Sequence, residues 1–218
     1  MSKSENRFSP FLIYLALFHA IWVGFVFGIF PWMQSLGDTT FRYAMVNISL
    51  RLLVWVLPVF LYLRFIDHVN PLAYLKLKEN WKRGLLFGLG LSMLIFLGSL
   101  LRYGVPTPGR PFFTWNNFLS TSLLIGFIEE IPYRGFILPK FERCLGFWRA
   151  TLITSVLFLG IHLPGWIALH LLLHAYDLIS VFIFSVDMAI VYKVGKSLWG
   201  PIVAHSLNDF ISVVLFRM

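Results

Sequence analysis

Charge is scarce in this sequence. Only 13% of its 218 residues are Asp, Glu, Lys or Arg, where a soluble domain carries about 25%. Acidic residues are scarcer still, ten against eighteen Lys and Arg. A chain this poor in charge does not build the water-facing surface of an ordinary soluble protein. Cysteine is nearly absent as well. Cys144 is the only one, which excludes an intrachain disulfide and suits a reducing compartment; it is read as a packing residue and given no chemistry. Internal repeats, low-complexity tracts and domain-dividing linkers are also missing. The lack of a repeat argues against a transporter built from duplicated halves.

What the sequence does have is long apolar runs. Hydrophobic residues make up 58% of it, arranged in blocks rather than in an amphipathic rhythm. Phe11–Phe30 holds His19 as its sole ionisable residue, and Leu85–Leu101 holds none. Runs of roughly 18 or more such residues read as spanning helices. The first run is longer than the apolar core of a cleaved signal peptide, about 7–15 residues, and further spans follow it, so it is expected to be a span. A large soluble core would need polar faces on these segments, and they have none. Spans are expected at residues 11–30, 45–65, 84–102, 114–131, 148–163, 165–175, 177–193 and 198–216, the sixth short and half-buried or interfacial. The expected fold is all-α: a polytopic transmembrane bundle of about seven to eight helices, forming one integral membrane domain over residues 1–218.

A net charge of +8 invites a nucleic-acid reading, but the basic residues sit in loops beside apolar spans, as the positive-inside rule expects. The expected partner is therefore the lipid bilayer, with no nucleic acid. Lys3 and Arg7 precede the first span. Arg64, Lys76, Lys78, Lys82 and Arg83 lie between the second and third, Lys140, Arg143 and Arg149 between the fourth and fifth, and Lys193 and Lys196 before the last. Placing these in the cytoplasm leaves Arg42, Arg102, Arg110 and Arg217 on the other side, and predicts a multi-pass protein of the cell membrane with a cytoplasmic N-terminus. It also requires an even number of crossings between Arg149 and Lys193, so the His-rich stretch 162–176 must turn back without a full extra crossing, or two short helices must share that space. The polar segment 70–83 is either an amphipathic surface helix or a solvated loop.

Ionisable groups inside spans are informative because each costs about 2.5–3.5 kcal/mol at a helix centre. They concentrate in the second half. In Glu129-Glu130-Ile-Pro132-Tyr-Arg134-Gly135, Glu130 and Arg134 are spaced to share a helical face and pair, while Glu129 points about 100° away. This suggests that Arg134 balances the charge and one glutamate stays free to take a proton. Pro132 removes a backbone donor and is positioned to kink the helix. The alternative is an interfacial salt bridge that caps the helix. In Phe158-Leu-Gly-Ile-His162, the Phe and His share a face; a single histidine there is more often a hydrogen-bonded core residue than a catalyst. His205 and Asp209 also lie four apart, and a carboxylate beside an imidazole fixes its tautomer and raises its basicity; the alternative is a polar pair that holds helices together. His170 and His174 have metal-ligand spacing, but the helical metalloprotease signature needs Glu after the first His, and Leu171 stands there, so this pair reads as interfacial or structural. Asp187, Arg51 and His19 are further polar residues in apolar spans, with partners the sequence does not name.

Taken in order, Glu-Glu-x-x-x-Arg, Phe-x-x-x-His and His-x-x-x-Asp on successive membrane segments resemble the CPBP family of intramembrane proteases. That family includes the CAAX prenyl endopeptidases and the bacterial Abi proteins linked to bacteriocin self-immunity. The resemblance covers a protease-like core of residues 118–216. It implies that Glu129 activates a water with His162, that Glu130 and Arg134 orient and balance that carboxylate, and that His205 and Asp209 polarise the scissile carbonyl and stabilise its oxyanion. The family often has Asn where this chain has Asp209, with Asn208 one residue earlier. An ionised Asp cannot donate to an oxyanion and an amide can, so Asp209 acts protonated, or by orienting His205, or Asn208 serves instead. The chemistry is coherent, because peptide hydrolysis needs an activated water and a site for the developing oxyanion. One Glu and two His would make a zinc set of the His₂Glu kind, and the same residues serve a metal-free glutamate mechanism. The implied activity is an intramembrane endopeptidase, metal-dependent or glutamate-dependent, acting on a membrane-associated or hydrophobic peptide. The competing reading is a non-proteolytic immunity or scaffold protein that binds a bacteriocin-like toxin or partner through the same fold.

Overall fold

The computed structural model describes residues 8–106, 113–171 and 174–216. Lys3, Arg7, Arg110 and Arg217, used above for orientation, lie outside the described residues. The chain is all-α and polytopic. The helices are α1 (Ser9–Gln34), α2 (Phe41–Ile66), the single turn α3 (Pro71–Tyr74), α4 (Trp81–Tyr103), α5 (116–145, interrupted at Leu124), α6 (Phe147–Ala168), α7 (Ala175–Gly195) and α8 (Trp199–Phe216). Among the described residues, the six helices other than α3 and α5 are long and apolar enough to cross a membrane. Their outward faces carry large apolar side chains such as Ile13, Leu86, Leu94 and Val156, as helices facing lipid do.

Helix α5 is different. Its sequence is too charged to read as a lipid-facing span, yet Ile128, Ile131, Tyr133, Arg134, Phe136, Ile137 and Leu138 are all fully buried. A helix buried all round is the centre of its bundle. The expected span 114–131 is thus too short: the helix runs on to Leu145, and Lys140 and Arg143 ride its last turns instead of a loop. Nor does Pro132 stop it. The backbone widens over Ile131–Ile137 into π-type turns. The same device recurs at Phe25–Ile29 and Leu52–Val56, each just before a proline, Pro31 and Pro58. A proline ring collides with the carbonyl four residues earlier and cannot donate to it. For Pro31, Pro58 and Pro139 that carbonyl belongs to Phe27, Val54 and Gly135, each inside a widened stretch, where i→i+5 bonding absorbs the misfit.

The expected sixth span, 165–175, does not exist. Residues 165–168 continue α6 through Pro164, and a turn with His170 at a φ of 54° leads to α7. His170 and His174 are therefore exposed turn residues and do not form an i,i+4 pair on a helix; Leu172 and Leu173 between them lie outside the described residues. Helices α6 and α7 are both long and apolar enough to cross, an even number such as the placement of the basic residues calls for. The segment 70–83 resolves as the turn α3 and a short connection, not a surface helix. Leu75 anchors it with no exposure.

The basic loops meet at one end of the bundle. Lys140 Nζ donates to both Asp67 carboxylate oxygens (2.8 and 2.6 Å), Trp199 Nε1 to the Leu77 carbonyl (2.8 Å), and Lys193 pairs with Glu142. At the other end Arg102 donates to the Tyr176 hydroxyl (2.7 Å), and Asn47 to Asn116 and Ser120 (3.1 and 2.8 Å).

Glycines let α4, α7 and α8 approach backbone to backbone, as small residues do between membrane helices. A Cβ on Gly88 would lie 2.5 Å from the Gly200 carbonyl oxygen, and one on Gly126 would lie 2.3 Å from that of Ile202. Gly90, by contrast, faces open space. Gly88→Ala is expected to lower stability by about 1–3 kcal/mol through overpacking, while Gly90→Ala leaves it unchanged. Thermal unfolding of the two variants in detergent checks this, and equal midpoints would contradict the close contact.

Candidate active site

Four helices bring the polar side chains together in the middle of the bundle. Helix α5 contributes Glu129, Glu130 and Arg134, α8 His205 and Asp209, α6 His162, and α2 Arg51. Glu130 is the most constrained. It has no exposure, and its Oε1 accepts from Arg134 Nη1 at 3.0 Å and from His205 Nδ1 at 2.7 Å. The guanidinium continues to α7, where Nη2 donates to the Ser185 carbonyl (2.8 Å) and hydroxyl (2.7 Å). Its carbon lies 4.5 Å above the Phe158 ring. Carboxylate, imidazole, guanidinium and aromatic face thus tie α5, α6, α7 and α8 into one buried unit.

The helix geometry explains the division between the two glutamates. Glu130 and Arg134 stay on one face despite the widened turn after Glu130. Glu129, a step round, points away from that unit. It is 6% exposed as a residue and has no hydrogen bond among the described residues. Its neighbours stand off: Arg51 Nη1 at 3.8 Å and His205 Nε2 at 4.0 Å. Glu130 binds Arg134 and His205, while Glu129 faces Arg51 and the far edge of the His205 ring.

His205 has its two nitrogens in different settings. Nδ1 is held by Glu130; Nε2 lies between Glu129 Oε2 (4.0 Å) and Asp209 Oδ2 (3.8 Å). The ring is packed by Phe184 (4.9 Å between centroids) and Phe158 (6.0 Å). Asn208 Nδ2 donates to Asp209 Oδ1 at 2.9 Å, so the two side chains left as alternatives by the sequence act as a connected pair. His162 Nδ1 bonds the Phe158 carbonyl (2.9 Å), which directs Nε2 away from its own helix, and its charge interactions include Glu129, His205 and Arg51. Phe158 serves both motifs: its ring is 5.0 Å from His162 and lies under Arg134.

Sequence reasoning named Arg51 and His19 as unassigned polar residues. Arg51 lies against Glu129 and stacks over Trp22 (5.5 Å), which donates to the Ile161 carbonyl beside His162 (2.8 Å). His19 Nε2 meets the Tyr133 hydroxyl at 3.2 Å. Asp187, on α7, makes no ion pair among the described residues. Ser185 and Phe184 gave no signal, since serine and phenylalanine are ordinary in membrane helices. Among the described residues no three His, Cys, Asp or Glu side chains converge as a metal set. With its Nδ1–H held by Glu130, as the carboxylate partner of a metal-bound histidine holds it, His205 keeps Nε2 available beside Glu129 Oε2 (4.0 Å); Glu129, His205 and His162 are the residues that would hold a divalent metal, which would supply polarisation of the water and the scissile carbonyl.

Residues 111–211 match the family model described as Type II CAAX prenyl endopeptidase Rce1-like. The match spans just under half of the chain, is consistent with the CPBP resemblance, and takes in the Glu-Glu, Phe-His and His-Asp motifs. No curated protein and no solved structure shows a significant match.

Truncating Arg134 would strand the Glu130 carboxylate without its cation. Arg134→Ala is expected to cost about 3–5 kcal/mol, and removing Glu130 in the same chain should cost less than the sum of the single changes, because the pair is one unit. Thermal unfolding of the two single variants and the double variant measures this; strict additivity would refute the coupling.

Proposed function

Starting from an Rce1-like domain in the membrane, we propose that this chain is an intramembrane endopeptidase in which Glu129 activates the attacking water. The carrying observation is the contrast between two adjacent, buried carboxylates. Glu130 is saturated on one oxygen by Arg134 and His205, so it serves as scaffold. Glu129 has only stand-off neighbours at 3.8 and 4.0 Å, which leaves its lone pairs for a water. A general base needs that freedom together with hydrogen-bond reach to its substrate proton.

The steps follow from the atoms present. Glu129 takes a proton from water, and the resulting hydroxide attacks the scissile carbonyl. His162, with Nδ1 fixed to its own helix, presents Nε2 toward the same space and orients that water. His205 presents Nε2 to the carbonyl oxygen. Because its Nδ1–H is committed to Glu130, the ring donates from Nε2 only as the imidazolium, and Asp209, held by Asn208, stands 3.8 Å away as the counter-charge to that form. Asp209 thus works through His205, not as an oxyanion donor itself. The proton on Glu129 then passes to the leaving amine, restoring the carboxylate. The substrate class is a hydrophobic or membrane-associated peptide, since the site lies inside a bundle with apolar outer faces. We place the protein in the cell membrane with the basic loops and the N-terminus in the cytoplasm, on the positive-inside rule.

Glu129→Gln should keep the fold, because Glu129 makes no short contact, and reduce cleavage by about 10²–10⁴-fold, the usual worth of a general base. Comparing membrane peptides by mass spectrometry in cells carrying wild type or E129Q reads this directly. An identical peptide set from two equally stable proteins would sink the assignment. Orientation has its own test in the exposed thiol of Cys144. A membrane-impermeant maleimide is expected to label it in inside-out vesicles and not in intact cells, and the reverse pattern would invert the topology.

A further inference from the structure

At the basic end of the bundle the structure contains a cavity of about 430 Å³ that the proteolytic reading does not use. Its walls come from three elements far apart in sequence: the connection after α3 (Tyr74, Lys76, Glu79), the last turns of α5 (Glu142, Arg143) and the end of α7 (Tyr192). It is separate from the catalytic carboxylates. Leu75 and Leu198, both fully buried, pack against Gly135, the neighbour of Arg134, and a Cβ there would meet them at 2.7 and 3.1 Å.

The chemistry of the walls is specific. Lys76 holds its ammonium 5.1 Å from the Tyr192 ring centre, and Arg143 its guanidinium 5.3 Å from that of Tyr74. Each cation lies on an aromatic face, and among the described residues no hydrogen bond or ion pair to a carboxylate occupies it. Of the acidic wall residues, Glu142 pairs with Lys193, and Glu79 is exposed. The Tyr74 hydroxyl is buried with no hydrogen-bond partner. Burial pushes this phenol up to about 12, with Asp67 and Tyr62 adding to the rise and Arg143 opposing it, so it remains an O–H donor. Two cations held on aromatic faces and a donor with no partner among the described residues, at the level where the basic loops collect, match a phosphate. Basic pockets between membrane helices are where anionic headgroups bind.

We propose that this cavity is a phosphate-binding site that takes the headgroup of an anionic phospholipid, with Lys76 and Arg143 as the phosphate ligands. Bound there, the headgroup clamps the 67–80 connection to α5 and α7. The cavity's position behind Leu75 and Leu198 makes the lipid a structural ligand of the protease domain, not its substrate.

The test uses the full-length protein in detergent, with phosphatidylglycerol, phosphatidylcholine, glycerol 3-phosphate and inorganic phosphate as probes. Native mass spectrometry should show phosphatidylglycerol retained in preference to phosphatidylcholine. The Lys76→Gln/Arg143→Gln variant should lose roughly tenfold or more in retention, while Lys78→Gln/Lys196→Gln, which removes equal charge outside the cavity, keeps it. Equal loss in both variants, or no preference in wild type, overturns the proposal. Hydrogen exchange on wild type alone gives a second reading that survives a folding failure of the variant. Phosphatidylglycerol should slow exchange in residues 67–80, and no protection by any probe overturns the site. Protection by glycerol 3-phosphate or inorganic phosphate at equal occupancy upholds the phosphate site but assigns it to a soluble ligand in place of the headgroup.

Discussion

Everything in this bundle is arranged around one buried carboxylate. Glu130 sits in the buried stretch 128–138 of α5, where an ionised group is tolerated only with paired charge and satisfied hydrogen bonds. Arg134 supplies the charge from the same helix, and His205 arrives from α8. The pairing is incomplete: Glu130 Oε2 and Arg134 Nε make no hydrogen bond among the described residues. Such a unit is held by its surroundings as much as by its own bonds. Phe158 beneath the guanidinium and Ser185 at its far end fix four helices relative to one another, and the position of His205 is a consequence of that fixation.

Close helix contacts make the arrangement reachable. His205 can meet Glu130 because α8 lies almost against α5, with Gly126 facing Ile202 and Ser206, and against α4, with Gly84 and Gly88 facing Gly200. Without hydrophobic drive between helices in lipid, such small-residue contacts and interhelical polar bonds supply the association. The widened turns serve the same end. They carry α1, α2 and α5 past their prolines without a break, so Arg51 and Trp22 in the first half and Arg134 in the second still reach the common centre. The Rce1-like match covers only residues 111–211, and Arg51, Trp22 and His19 lie outside it. The first half of the chain therefore walls the site as well as enclosing it.

Legibility in the sequence followed the length scale of the signal. The apolar runs of α1, α2, α4, α7 and α8 were readable because lipid imposes a minimum length and a low charge density on whatever crosses it. Helix α5 was cut short at residue 131 because its charges and Pro132 imitate a helix end. Only its neighbours reveal that those charges are paired inside the bundle and that the helix continues past the proline. The sixth span was drawn from apolar residues at 165–175, of which 165–168 end α6 and 169–170 form a turn, a distinction that composition does not carry. The even crossing number between Arg149 and Lys193 that the charge pattern calls for matches two helices, α6 and α7, each long and apolar enough to cross.

The sequence by itself determined that the chain is an all-α membrane protein, where its costly polar residues fall, and which of them share a helical face, because hydropathy and the 3.6-residue period act along the chain. Tertiary structure alone decided which groups meet across helices. It brought His205 to Glu130 and Ser185 to Arg134, set Arg51 beside Glu129, joined Asn208 to Asp209, and assembled the basic cavity from three distant segments. The physical reason is that a buried charge is satisfied in three dimensions by whatever donor the packing brings within about 3 Å, and no local pattern encodes which donor that will be.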